Sequence, residues 1–335
     1  MLCLKVPKTE GEEVRKKLLD AEVLDNRYKI AAKGEYLLMP LKGDIPEGLE
    51  FYQTVECEPE ERMTKVGDYR ELLVISEELK QELPTSYDIV GDIVMIKIPG
   101  SLEQHKGEIG RAIIDTHKKV KTVMDDKGVI GDFRLRDVEV IAGESKTTTI
   151  YREYGIELEV DVAKSYFSPR LATERWRVVN QVHEGETVLD MFAGLGPFSI
   201  LIAKHVKVKQ IHAIDINPDA IELLKINTVR NSVDHVIDIH LGDASKIAPK
   251  IPSDRVIMNL PHSAGIFIKP ALDSLENGGM IHYYEILPEE KAKERALELV
   301  EEINKLGKQA QIVEQRIVRT YSPMDVHMAF DILVS

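Results

Sequence analysis

Residues 188–198 read Val188-Leu189-Asp190-Met191-Phe192-Ala193-Gly194-Leu195-Gly196-Pro197-Phe198. An apolar run that ends in G-x-G is what a buried strand needs where the chain turns into a helix. Glycine lets the backbone turn tightly and approach a ligand with no Cβ in the way. A dinucleotide site needs a third glycine three residues after the second, where the pyrophosphate meets the helix N-terminus. Ser199 holds that place and Pro197 starts the helix, so a pyrophosphate cradle is not expected. Alone, the stretch fits a plain strand-to-helix turn equally well.

Its surroundings narrow the reading. A helix is predicted over 170–182, a strand over 186–191 and a helix over 197–205. A strand at 210–214, a helix at 218–231 and strands at 235–240, 256–258 and 279–284 follow. Strand alternating with helix means βαβ units, a mostly parallel sheet and an α/β, doubly wound, Rossmann-like fold. Residues 310–318 and 327–334 read as a strand pair, which places an antiparallel strand at the sheet edge. Asp215 closes the second strand, roughly 20 residues past the glycines, where an acid accepts hydrogen bonds from ribose hydroxyls. It is not needed as a helix cap, because Asn217-Pro218 already supplies cap and first-turn proline. Asp243, after Leu241-Gly242, closes the third strand where an adenine amino group can be met. A glycine loop and two acids at successive strand ends resemble the class I methyltransferases that use S-adenosylmethionine.

The first half reads as two smaller α+β domains. Residues 1–64 hold a predicted helix at 12–24 (Val14, Leu18, Leu19, Val23) and strands at 36–40 and 48–57, with 56–64 a charged linker containing Pro59. Residues 65–165 hold a strand pair or one long strand at 88–98 and a helix at 102–120 whose end carries Lys118, Lys119 and Lys121. Strands at 131–141, 147–151 and 156–162 complete a largely antiparallel module. Residues 166–335 form the catalytic domain.

Composition sets outer limits. At 335 residues and 43% hydrophobic content, the chain suits two or three packed domains rather than disorder. No apolar run approaches the roughly 18 residues of a membrane span, and the N-terminus turns charged too early for a secretory signal. Cys3 and Cys57 are distant and lack CxxC spacing, so neither a zinc site nor a disulfide framework is expected, and the protein reads as reduced and cytoplasmic. No metal-ligand cluster is visible. The net charge of −13 speaks against nucleic acid only if charge is uniform, since phosphate contact depends on where Lys and Arg gather.

The fourth strand ends Val256-Ile257-Met258-Asn259-Leu260-Pro261-His262. Asn followed by a proline-bearing pair occupies the substrate position of methyltransferases acting on planar nitrogen. The second residue is Leu260, a departure from the Asn-Pro-Pro-Tyr form used on exocyclic amines. Here the chain resembles the archaeal and eukaryotic tRNA (guanine-37-N1)-methyltransferases. The resemblance is carried by Phe133–Arg136 (FRLR), Ala142-Gly143-Glu144, Tyr166–Arg170 (YFSPR), Glu174-Arg175, Met191–Phe198, Ala213–Pro218, Asn259–Pro261 and His282–Tyr284 (HYY), and spans nearly the whole chain.

The resemblance implies S-adenosylmethionine as cofactor and tRNA as partner, docked by its outer corner on the N-terminal domain and by its anticodon loop on the site, with the enzyme a monomer. It implies Tyr166, Arg175, Phe192, Asp215, Ile216 and Asp243 as cofactor contacts. Asp190, Gly194, Gly196, Ala244 and Asn259 complete that set. Asn259 and the Pro261 carbonyl would bind the extruded base, with Arg136 and Arg170 beside it. Glu174 stands where the family carries a catalytic base; the ordinary alternative is a helix carboxylate paired with Arg175 or Arg177. Arg134 is the expected stabiliser of charge on O6 and alternates onto one strand face with Arg136. Competing readings are a wyosine-pathway methyltransferase, transfer of the aminocarboxypropyl group of the same cofactor, and a non-catalytic tRNA-binding module.

Overall fold

The computed structural model describes residues 1–60, 67–131 and 135–335, and the described chain packs as two compact units, Met1–Leu72 and Leu73–Ser335. In the first, strands β1 (Leu2–Pro7), β2 (Ala31–Lys33), β3 (Tyr36–Pro40) and β4 (Gln53–Glu56) form an antiparallel sheet in the order β2-β3-β1-β4. Helix α1 (Gly11–Asp20) lays Val14 and Leu18 on Leu4, Val6 and Met39. The expected strand at 48–57 shrinks to β4. Pairing of β1 with β4 sets Leu2 opposite Glu56 and brings Cys3 to Cys57, which are joined in a disulfide with Cα atoms 6.0 Å apart. This corrects the expectation of no disulfide. Strand pairing, invisible in a sequence separation of 54 residues, makes the two cysteines neighbours.

The second unit opens with the short helix α2 (Glu77–Gln81) and the strands β5 (Asp88–Val90), β6 (Ile93–Ile96), β7 (Thr122–Ile130) and β8 (Leu135–Gly143), hydrogen-bonded in that order. Residues 88–98 are thus a hairpin. The β5–β6 and β7–β8 pairs are antiparallel, but β6 and β7 run parallel, joined by a crossover through α3 (Lys106–Thr116). That helix is shorter than expected, so the exposed Lys118, Lys119 and Lys121 lie beyond its end.

A hairpin of β9 (Thr148–Glu153) and β10 (Ile156–Asp161) follows, then α4 (Ala172–Val179). The catalytic sheet comprises β11 (Thr187–Asp190), β12 (Gln210–Asp215), β13 (Ile237–Leu241), β14 (Arg255–Met258), β15 (Gly279–Pro288), β16 (Ala310–Thr320) and β17 (Asp325–Val334). Its helices are α5 (Pro197–His205), α6 (Pro218–Arg230), α7 (Ala244–Ile247), α8 (Ile268–Ser274) and α9 (Ala292–Lys305). The strand order is β13-β12-β11-β14-β15-β17-β16, parallel through β15 and antiparallel at β17 and β16. This is the doubly wound α/β fold with the expected antiparallel edge.

Neighbouring residues of β11 feed opposite faces. Val188 packs with Ile211, Ala213 and Ile257, whereas Leu189 packs with Ile214, Val256 and Ile281. Both faces are covered, which is why these strands read as continuous apolar runs. The first of these clusters also takes in Val90, Ile93, Met95 and Met124, so the β5–β8 sheet and the catalytic sheet share one core. The outer edge of β10 is closed by side chains: Asn231 and Asn227 of the α6 region each accept from and donate to its backbone at Glu157 and Glu159. Two amides thereby take the place of a neighbouring strand at Glu157 and Glu159. Among the described residues, no helix is long and apolar enough to cross a membrane.

Candidate active site

Strand order reverses between β11 and β14, and the crevice outside the carboxyl ends of strands at such a point is where open α/β sheets bind ligands. Four of the loops bounding this crevice are the four quoted motifs. Ladder-like bonds hold them: Ala193 N–H donates to the Ile214 carbonyl at 2.8 Å, Gly242 N–H to that of Asp215 at 2.9 Å, and Met191 N–H to that of Ile257 at 3.1 Å. Gly196 has φ +91°, and a Cβ there would lie 2.2 Å from the Leu224 side chain, so only glycine lets α5 start so close to α6.

A single cavity is lined by Tyr166, Arg175, Phe192, Gly194, Asp215, Ile216, Asp243, Ala244, Asn259 and Pro261, all of them anticipated site residues. The Asp215 carboxylate accepts from Gly194 N–H at 2.7 Å and Asn217 N–H at 2.8 Å. Burial raises its pKa while these backbone donors pull it down. Two bonds leave acceptor capacity on a carboxylate, and a ribose diol supplies matching donors. Asp243 accepts from Ser245 N–H at 2.9 Å and Ser245 Oγ at 2.7 Å, which caps α7 and holds its pKa low. The apolar Phe192 and Ile216 beside these acids suit an adenosyl group, so the residues fit the cofactor. In Asp215→Ala, S-adenosylmethionine affinity measured by calorimetry should fall about ten-fold or more, the worth of a hydrogen bond to a charged group. Unchanged affinity in a folded variant would refute the ribose role.

Other anticipated residues are placed differently. Arg175 borders the cavity, but its Nε and Nη2 lie 2.6 Å from the Glu153 carboxylate and its Nη1 donates to the Ser168 carbonyl at 3.2 Å. It therefore clamps the segment 166–168, with its guanidinium 5.3 Å from the Phe167 ring. Asp190 is buried behind the loop, accepts from Ser199 Oγ at 2.8 Å, and burial pushes its pKa up to about 7. Arg136 and Arg170 converge on Asp88, with Arg136 also paired to Asp126. Arg134 lies outside the described residues. The Pro261 carbonyl already accepts from Ile286 N–H at 3.0 Å, which leaves one lone pair for a ligand.

Glu174 is 2% exposed and sits at the junction of α4 with β15 and β17 rather than in the cavity lining. Arg177 donates to both its oxygens, at 2.7–3.1 Å, and Tyr284 Oη donates at 2.8 Å, with Arg316 3.6 Å away. Arg177 also pairs with Asp331. His282 bridges this group to Arg255. Because Arg255 has no acceptor, it donates to His282 Nε2 at 2.8 Å, so His282 carries its proton on Nδ1 and donates it to Asp331 at 2.7 Å. Burial keeps His282 neutral, its pKa lowered. Burial alone would raise the Asp331 pKa; the hydrogen bonds from His282 and Arg177 outweigh it and hold that carboxylate well below the usual range. The His282-Tyr283-Tyr284 motif thus has a physical basis: His282 and Tyr284 anchor the group around Glu174.

Sequence reasoning missed Phe267, Ile286, Arg319, Tyr321 and His327, which also line the cavity. The Tyr321-Ser322-Pro323 turn between the last two strands was the available signal, read only as an edge hairpin.

Comparison with known proteins places these features in context. The model described as the TRM5/TYW2 methyltransferase domain matches residues 149–313. The TYW2 N-terminal domain matches 69–147, and the tRNA methyltransferase 5 N-terminal domain matches 3–50. The tRNA (guanine(37)-N(1))-methyltransferase Trm5b of Pyrococcus abyssi is 45% identical over 100% of this chain and 99% of its own length. That of Methanocaldococcus jannaschii is 38% identical over the same shares. A solved complex of aTrm5 with a leucine tRNA superposes with a TM-score of 0.83 at 39% identity, covering 100% of both chains.

Proposed function

The chain belongs to the TRM5/TYW2 methyltransferase family, and we propose on that premise that it methylates N1 of guanosine 37 in tRNA. It is an S-adenosylmethionine-dependent enzyme of the tRNA (guanine-37-N1)-methyltransferase type. The observation that carries the reading is the meeting of four strand-end motifs, ending with Asn259-Leu260-Pro261, on one cavity at the switch point.

The cofactor, when bound, supplies a methyl group already activated as a sulfonium. What remains for the protein is alignment and proton removal. N1 of guanine bears a proton and its lone pair is delocalised into the ring. Asn259 and the free lone pair of the Pro261 carbonyl orient the base edge. Glu174 takes the N1 proton by turning one oxygen away from Arg177 toward the cavity, while Asp331 keeps Arg177 compensated. Arg134 donates to O6 as negative charge develops there. Extruding the base costs a few kcal/mol, least from a single-stranded anticodon loop.

The three regions divide the labour: 1–64 docks the tRNA outer corner, 65–165 binds RNA and 166–335 catalyses. The enzyme works as a cytoplasmic monomer. Nucleoside mass spectrometry of tRNA incubated with enzyme and cofactor is the direct test, with N1-methylguanosine at position 37 expected. A base bearing an aminocarboxypropyl group instead would move the chain to that branch of the family.

Phosphate contact falls to local basic clusters despite the acidic total. Lys118, Lys119 and Lys121 are exposed, and Arg170 is half-exposed beside Asp88, whereas Arg175 is buried with Glu153. The logarithm of tRNA affinity should fall linearly with that of salt concentration, with a slope of about 0.7–0.9 per phosphate neutralised. A salt-independent affinity would contradict this.

A further inference from the structure

Strand β4 lies at the edge of the first sheet, and among the described residues its strand partner is β1 alone. Its residues are exposed or half-buried, so apolar burial does little to keep it in place. Just beyond it, Cys57 N–H donates to the Met1 carbonyl and the Met1 ammonium to the Cys57 carbonyl, both at 2.9 Å. Further on, Lys29 N–H donates to the Glu60 carbonyl at 2.8 Å, and the two side chains form an exposed ion pair, a contact of small worth. The strong side-chain anchor is covalent. Val55 is the register partner of Cys3, and Cys57 lies two residues on, so both cysteines project from one sheet face and the disulfide crosses diagonally.

The two sulfurs differ in access. Cys3 is fully buried in β1, whereas Cys57 is half-buried at the end of β4, so a reductant reaches Cys57 first. The bond spans 54 residues of the compact unit Met1–Leu72. A unit of that size has a small core and leans on staples of this kind, which restrict its unfolded chain. Where thiols are kept reduced, disulfides outside hyperthermophiles are rare and mainly transient or redox-sensing.

We propose that Cys3–Cys57 is a redox latch on the first unit: closed, it pins β4 to β1, and opened by a dithiol it lets β4 detach. A thiolate of the dithiol attacks Cys57 Sγ, and the Cys3 sulfur leaves as a thiolate and takes a proton. The second thiol of the reductant then displaces Cys57 from the mixed disulfide. Two electrons and two protons pass to the protein, which gains two thiols, and the reductant ends as an intramolecular disulfide. The reverse exchange with such a disulfide closes the latch. On the docking role proposed above for 1–64, opening weakens tRNA binding and leaves the cofactor cavity as it was.

The test compares the full-length protein, purified without reductant, before and after treatment with dithiothreitol. Alkylation and intact-mass measurement should count no free thiol and then two, the chain having two cysteines. Hydrogen exchange of peptides covering 53–57 should quicken about tenfold or more on reduction, while those covering β11–β14 should not change. Cys57→Ser should exchange like the reduced protein with or without dithiothreitol; Cys57→Ala serves if the serine variant does not fold. KM for tRNA should rise on reduction, with kcat and cofactor affinity unchanged. Two free thiols before treatment, none after it, or equal exchange of 53–57 in the two states overturns the proposal. Faster exchange with an unchanged KM for tRNA supports the latch and removes the docking role from the first unit, so the two readings fail separately.

Discussion

In Glu174→Gln, single-turnover methylation of tRNA is expected to slow by about 10²-fold or more, while affinities for tRNA and cofactor stay near those of wild type. Glutamine keeps the shape and one acceptor oxygen, so Tyr284 and Arg177 retain a partner, and Asp331 continues to balance the Arg177 charge. On the proposed mechanism, what disappears is the capacity to take the N1 proton. A pH profile separates this from mere loosening of the core. The wild-type rate should rise with pH as proton removal from N1 becomes easier, and in the variant that rise should flatten. A near-normal single-turnover rate would leave Glu174 as what its contacts alone describe, the buried partner of Arg177 and Tyr284.

Arg134→Ala should slow the same step by about 10²–10³-fold, the usual loss when a donor to a developing oxyanion is removed. As N1 loses its proton, negative charge spreads to O6, and a guanidinium meets it with fixed donors and permanent charge. Lysine keeps the charge but not the fork, so Arg134→Lys should recover only part of the loss. If Glu174 and Arg134 serve one proton transfer, the double variant will be less impaired than the product of the single effects. Strict multiplication of the two would place them in separate steps. Cofactor affinity, measured in the same variants, should not move.

Both roles are implied by the family resemblance at Phe133–Arg136 and Glu174-Arg175, and the structure bears on them unequally. Arg134 lies outside the described residues. Glu174 is described, and its surroundings could not have been foreseen: the helical spacing offered Arg175 or Arg177 as partner, and packing selected Arg177, because Arg175 is committed to Glu153 from β9.

The sequence by itself determined the elements whose identity rests on local chemistry and short-range period. The apolar stretch Val188–Asp190 had to be a buried strand, Pro197 had to start a helix, and the strand–helix alternation after Ser168 required a mostly parallel sheet. The helix at Pro197–His205 and the strand at Tyr36–Pro40 stand at the bounds their patterns indicate. The positions of Asp215, Asp243 and Asn259 at strand ends follow from the same pattern, and parallel strands carry their ends to one edge. Tertiary structure alone decided whatever depends on which strand lies beside which. It joined Cys3 to Cys57 through β1–β4 pairing, and it used Asn227 and Asn231 to close the edge of β10. It also gave one lone pair of the Pro261 carbonyl to Ile286, and turned His327, read as an edge-strand residue, into the cavity wall. These contacts link residues far apart in the chain, and their partners become definite only when the sheet order fixes who is near whom.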